Sequence, residues 1–241
     1  MTLRQAQDDG NEAPIGIGFD FDHTLGVDNE LELSALYAYA QELGRPTDPQ
    51  DSARRSEFEA LLADFRAGAS TMDEMMHRFA AALETRGAHA ERWREICYGL
   101  VDALARPIDG ACELLALLRE RHIPAAILTN GWSPLQQKKI ARALGEEGLA
   151  LRLLVSDALH AVKPARAAFD ALVDALGVPR ERVWYVGDNA RGDIGGALAA
   201  GLRAVWFDGE GQGYPQDLPP PDLRIGTLRE LAALIENSIA P

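Results

Sequence analysis

The spacing of hydrophobic positions changes twice along the chain. A short apolar, β-tending run, Ile15–Phe19, follows Pro14 and predicts a strand buried on both faces. From Asn29 to about Arg106, Ala, Leu, Glu and Arg dominate and two-residue alternation is absent. That stretch predicts about four helices, near Glu30–Leu43, Asp51–Arg66, Met72–Arg86 and Ala90–Leu104. Gly44, Pro46 and Pro49, then Gly68 with Ser70-Thr71, then Gly87, separate them. After Pro107 helical and strand patterns alternate. Helices are expected at Gly110–Arg121, Pro134–Leu144, Ala165–Leu176 and Ile194–Ala200, and strands at Ala125–Leu128, Leu151–Val155, Val183–Val186 and Ala204–Phe207. Pro215 and Pro219-Pro220-Pro221 mark an irregular loop, and Thr227–Glu230 is a capping box opening a last helix to about Ile239.

Alternating helices and buried strands give an α/β protein: a Rossmann-like parallel sheet with helices on both faces. The helical stretch interrupts that pattern directly after the first strand. The expected organisation is therefore a core built from 1–28 and 107–241, with an inserted all-helical domain at 29–106.

Composition narrows the function. A chain of 241 residues with 47% hydrophobic residues has enough apolar material for a sizeable core. A net charge of −13 argues against a nucleic acid polymer held through phosphates and against an anionic membrane surface. No apolar run is long enough to span a bilayer, and the polar, acidic Met1–Glu12 reads as a tail rather than a secretory signal. Cys97 and Cys112 lie in no CxxC pair and are expected as free thiols in a reducing cytoplasm. His77, His89, His122 and His160 are dispersed, which argues against a histidine metal site, and His23 is expected to shape a loop.

The chemistry lies at the strand ends. Asp20 and Asp22 close the first strand, Thr129 and Asn130 the second, Asp188 and Asp193 the fourth, and Lys163 lies between. Ligands of parallel sheets bind beyond the carboxyl ends of the strands, where strand order reverses. Two carboxylates one residue apart at the mouth of a hydrophobic sheet repel, and need a cation, a shared proton or strong donors. Three or four such acids make a hard-oxygen site suited to Mg²⁺, and a lysine with a hydroxyl suits an anion such as phosphate. Each element also has a plainer reading. The DxD could be a turn, Asp193 could cap the helix at Ile194, and Lys163 could be a solvated charge. Tyr37, Tyr39, Met72, Met75 and Met76 are spaced as helical core, Arg54 and Arg55 as a solvated face, and Trp132 lies close enough to the site loop to touch a substrate.

As a set, Asp20-Phe21-Asp22-His23-Thr24-Leu25, Thr129-Asn130-Gly131, Lys163-Pro164 and Gly187-Asp188…Asp193 resemble the four signature motifs of the haloacid dehalogenase-like superfamily, in order and at ordinary spacing. The resemblance covers about Ile15–Phe207, and it implies that the core at 1–28 and 107–241 is catalytic and that the helices at 29–106, which match the family's helical cap in position and size rather than in residues, are a cap domain. It implies that Asp20 is a nucleophile that becomes phosphorylated. Asp22 would be general acid/base, with its backbone carbonyl also facing the metal. Thr129 and the backbone N–H of Asn130 would hold phosphoryl oxygens, and Lys163 would pair with nucleophile and phosphate. Asp188 would bind Mg²⁺ directly, and Asp193 through water or by orienting the others. The Gln136-Gln137 region resembles the branch of nucleotidases and sugar-phosphate phosphatases. The expected partner is a small phosphorylated metabolite (a nucleotide, sugar phosphate or small organic phosphate), acted on by a monomer or homodimer. Asp22 and the Asp188/Asp193 pair favour phosphoryl chemistry over a dehalogenase. A phosphomutase and a phosphoaspartate receiver used in signalling stand as alternatives; receivers lack so long an insertion and an acid two residues after the phosphorylated Asp.

Overall fold

The structure, a computed structural model, describes residues 16–239 and divides the chain into two compact units, 28–105 and the remainder. Ile15 and the predicted tail lie outside the described residues. The chain enters through β1 (Gly16–Phe19) and β2 (Gly26–Val27), then passes into the first of these units.

That unit is made of α1 (Leu31–Glu42), α2 (Ser52–Arg66), α3 (Met72–Ala82) and α4 (Ala90–Leu104). The Asp51 side chain accepts the N–H groups of Ala53 and Arg54 to start α2. Thr71 and Glu74 form a reciprocal capping box at the start of α3. α3 ends at Ala82 rather than Arg86, because Glu84 turns left-handed at φ 50°. Leu36, Phe58, Met75, Phe79 and Trp93 are fully buried between the helices, and Tyr39, Met72 and Met76 are buried with them. The Phe58 ring lies 5.2 Å from those of both Tyr37 and Phe79. Arg54 pairs with Glu57, and Arg55 with Glu30 and Glu59, as a solvated face requires.

The chain re-enters the larger unit through β3 (Arg106–Pro107), which pairs antiparallel with β2. The sequence pattern missed this two-strand ribbon, since two-residue strands carry no periodicity. Then follow α5 (Ala111–Glu120), β4 (Ala125–Thr129), α6 (Ser133–Leu149), β5 (Arg152–Val155), α7 (Ser156–Leu159), α8 (Arg166–Leu176), β6 (Val183–Gly187), α9 (Gly196–Ala199), β7 (Arg203–Phe207), β8 (Leu223–Ile225) and α10 (Leu228–Ile239). α6 continues past Leu144 across a non-helical Gly145. β8, a three-residue strand that begins two positions after Pro221, is too short to announce itself in sequence. At α10, the Glu230 N–H reaches Thr227 Oγ1, while the Glu230 carboxylate accepts from Gly226 N–H rather than from Thr227.

Among the described residues six strands form one parallel sheet in the order β5-β4-β1-β6-β7-β8. The chain builds outward from β1 in one direction through β4 and β5, then in the other through β6, β7 and β8. The reversal of strand order therefore falls at β1. Ile17, Phe19, Trp184, Val186 and Val205 pack on one face with Leu114, Leu115 and Ile140. Ala126, Leu128, Tyr185 and Ala204 pack on the other with Phe169, Leu172 and Ile194. On that second face Gly18 leaves room for Leu172 and Tyr185, so α8 lies directly against β1. Among the described residues no helix is long and apolar enough to cross a membrane.

Candidate active site

The carboxyl ends of the three central strands β4, β1 and β6 carry the motif residues. Asp20 follows β1, Thr129 closes β4, and Asp188 follows β6. Carboxylate oxygens of Asp20, Asp188 and Asp193 all lie within 4.8 Å of one another. Lys163 Nζ donates to Asp20 Oδ1 at 2.7 Å, to Asp193 Oδ1 at 2.7 Å and to Tyr185 Oη at 3.0 Å. Lys163 is buried, so it is not a solvated surface charge. Its backbone is clamped as well. Asn130 Oδ1 accepts the Lys163 N–H at 2.9 Å, and Asn130 Nδ2 donates to the Lys163 carbonyl at 3.2 Å.

Asp193 is buried and both its oxygens are engaged, Oδ1 by Lys163 and Oδ2 by the Asn189 N–H at 3.0 Å. It does not cap the following helix. Asn189 instead caps a wide π-type turn over 190–195, accepting from the N–H groups of Arg191 and Gly192, and this turn brings Asp193 inward. Gly187 is required for this: a Cβ there would sit 2.5 Å from Asp193 Cβ. Asp188 is placed by Thr24 Oγ1, which donates to its Oδ1 at 3.4 Å, and by Trp206 Nε1, which donates to its carbonyl at 3.2 Å.

Asp22 takes a different position. The three-carboxylate group does not include it. Its Oδ1 accepts from Lys139 Nζ, and its Oδ2 from Gln136 Nε2 at 2.8 Å. Thus the repulsion between Asp20 and Asp22 is met by strong donors, each acid holding its own buried lysine. Phe21 between them is fully buried in the core, and His23 makes the turn in a left-handed conformation at φ 59°.

Sequence reasoning missed Lys139 and Tyr185, and took Gln136 only as a family marker. A signal was there. Leu135, Gln136, Lys139, Ile140, Ala143 and Leu144 form the buried stripe of α6, so an amide and an ammonium occupy core positions.

The electrostatics follow the geometry. Burial, with Asp193, Asp188 and Asp22 behind it, pushes the Asp20 carboxyl well above its ordinary value in spite of Lys163. Burial and the neighbouring Asp193 push Asp188 up to about 6. Burial also opposes ionisation of Asp22, but the Lys139 ammonium and the Gln136 amide outweigh it and hold that carboxyl below the usual range. Three carboxylates around one ammonium leave excess negative charge. Burial and mutual repulsion disfavour the charged forms of Asp20 and Asp188, and an all-oxygen donor set of this kind fits a hard divalent cation such as Mg²⁺.

Fold and site together define an α/β enzyme class whose ligand edge is built from carboxylates at the reversal of strand order. The chain belongs to the haloacid dehalogenase-like hydrolases, whose family model matches residues 16–201. It is 30% identical over 177 residues, 73% of this chain and 77% of the relative, to pyrimidine 5'-nucleotidase YjjG of Escherichia coli. It is 38% identical over 157 residues, 64% of this chain and 61% of the relative, to a phosphoserine phosphatase of Thermus thermophilus. Among solved structures, the magnesium-bound HAD-hydrolase YfnB of Bacillus subtilis superposes with a TM-score of 0.73 at 24% identity, over 91% of this chain and 97% of the other.

Proposed function

We propose that this protein hydrolyses small phosphomonoesters with Mg²⁺, through a phosphoaspartyl intermediate on Asp20. The observation that carries the reading is the pairing of two acids with two buried lysines: Asp20 with Lys163 inside the carboxylate group, Asp22 with Lys139 outside it. The relatives named for nucleotide and phosphoserine hydrolysis support the substrate class.

In the first half-reaction an Asp20 oxygen attacks phosphorus while the bond to the leaving oxygen breaks, and Asp22 gives that oxygen its proton. The arriving phosphate brings negative charge beside Asp22 and raises its proton affinity, so that Asp22 takes up from solvent the proton it then donates. Thr129 and the Asn130 N–H hold phosphoryl oxygens, and Lys163 neutralises charge at the nucleophile. In the second half Asp22 takes a proton from water, the water oxygen attacks phosphorus, and the bond to Asp20 breaks, releasing inorganic phosphate. Asp20, Asp188 and the Asp22 carbonyl would hold Mg²⁺, with Asp193 acting through water or by orienting Lys163. The ion, when bound, supplies Lewis-acid neutralisation of the transferring group. We assign the helical unit 28–105 the role of a cap that selects the leaving group.

The test is turnover of p-nitrophenyl phosphate and a panel of nucleotides, sugar phosphates and small organic phosphates, with and without Mg²⁺. Wild type is expected to turn over in a metal-dependent manner, and Asp20→Asn to be inert. An Asp20→Asn variant working at the wild-type rate would remove the nucleophile from the proposal.

A further inference from the structure

We propose that Gln136 and Lys139 are positioning residues for Asp22, fixing the acid/base carboxylate beside the Asp20–Asp188–Asp193 group and outside it. The inference rests on the phosphomonoesterase reading above. Both residues lie on the buried face of α6, three positions apart, so one helix turn presents an amide and an ammonium together. Lys139 is only 3% exposed, with its ammonium on Asp22 Oδ1 and 5.6 Å from the Phe21 ring centroid. Apolar residues at both 22 and 139 would serve packing as well or better, since a buried ion pair rarely repays its desolvation. The pair is thus better explained by what it does to Asp22 than by stability.

Gln136 ties that acid to the phosphate loop. Its Nε2 lies 2.8 Å from Asp22 Oδ2, 3.0 Å from Thr129 Oγ1 and 2.9 Å from the Asn130 carbonyl. One amide therefore spans the acid/base and the residues assigned to the phosphoryl oxygens. Its Oε1 is buried without a partner among the described residues, a cost that a purely structural amide would avoid. Asp22 itself sits on the turn after β1 with 30% of its side chain exposed, and packing alone does not hold its rotamer. Acid catalysis requires a carboxyl fixed within hydrogen-bond reach of the leaving oxygen.

The test compares kcat/KM for p-nitrophenyl phosphate, whose leaving group departs without a proton, with that for glycerol phosphate, whose alkoxide needs one. Asp22→Asn and Lys139→Met are each expected to lose on the order of 10²-fold on glycerol phosphate and far less on p-nitrophenyl phosphate. Lys139→Arg should recover part of the loss. The double variant Asp22→Asn/Lys139→Met should be no slower than Asp22→Asn alone, because Lys139 acts through Asp22. Equal losses on both esters, or losses that multiply in the double variant, would overturn the assignment. Should Lys139→Met fail to fold by circular dichroism, Gln136→Met is held to the same two criteria. A wild type inert toward both esters would instead overturn the proposed function and this inference with it.

Discussion

Removing divalent cations from the protein while varying pH reads the carboxylate group directly. In the metal-free protein Asp188 is pushed up to about 6 from an ordinary 3.8. Below about pH 4 the folded and unfolded chains both carry that proton, so the group contributes nothing. Between 3.8 and about 6 the folded state keeps a proton that the unfolded state has lost, and stability falls as pH rises. Each pH unit in that window is worth about 1.4 kcal/mol, which sums to about 3 kcal/mol. For a chain of this size that is a fall in Tm of roughly 6–12 °C. Asp20, also pushed up, acts in the same sense. A divalent cation needs these acids ionised, so it must displace a proton below pH 6 and need not above it. The part of the Mg²⁺ stabilisation that depends on Asp188 should therefore grow from pH 4 to about 6 and then level off. Differential scanning fluorimetry in EDTA and in excess Mg²⁺, on wild type and Asp188→Asn, measures both. The variant should show a flatter metal-free profile and a smaller Mg²⁺ shift. A Mg²⁺-induced shift of equal size at pH 5 and pH 8, or the same metal-free slope in both proteins, would refute the reasoning.

Three further outcomes are expected. Lys163→Met leaves Asp20 and Asp193 buried without their shared ammonium, and should cost about 3–5 kcal/mol in urea unfolding at neutral pH as well as turnover. Gly187→Ala forces a methyl against Asp193; it should cost about 1–3 kcal/mol and weaken Mg²⁺ binding measured calorimetrically. Asn130→Ala removes both side-chain bonds to the Lys163 backbone; a loss of about 1–3 kcal/mol and a lower kcat are expected, and an unchanged kcat would show that Lys163 holds its place unaided.

Much of the architecture was legible because buried parallel strands are short continuous apolar runs and the helices between them are amphipathic. Ile17–Phe19, Ala125–Leu128, Val183–Val186 and Ala204–Phe207 all lie in the sheet. The β2–β3 ribbon and β8 were not legible, since so few residues have no period to display. Helix ends shifted where a left-handed residue, Glu84, or a kink, Gly145, overrode the apolar pattern.

The sequence by itself determined the type of chemistry, because carboxylates, a hydroxyl and a lysine placed at the ends of apolar runs must converge once those runs form one parallel sheet. Only the tertiary structure decided how the acids are shared out. Asp20 and Asp22 are two residues apart in the chain, yet one joins Lys163 and the carboxylate group while the other joins Lys139 and Gln136. Those partners come from α6 and the segment before α8. Partnership among buried charges is set by which side chains share a desolvated volume, and that depends on packing between segments more than a hundred residues apart.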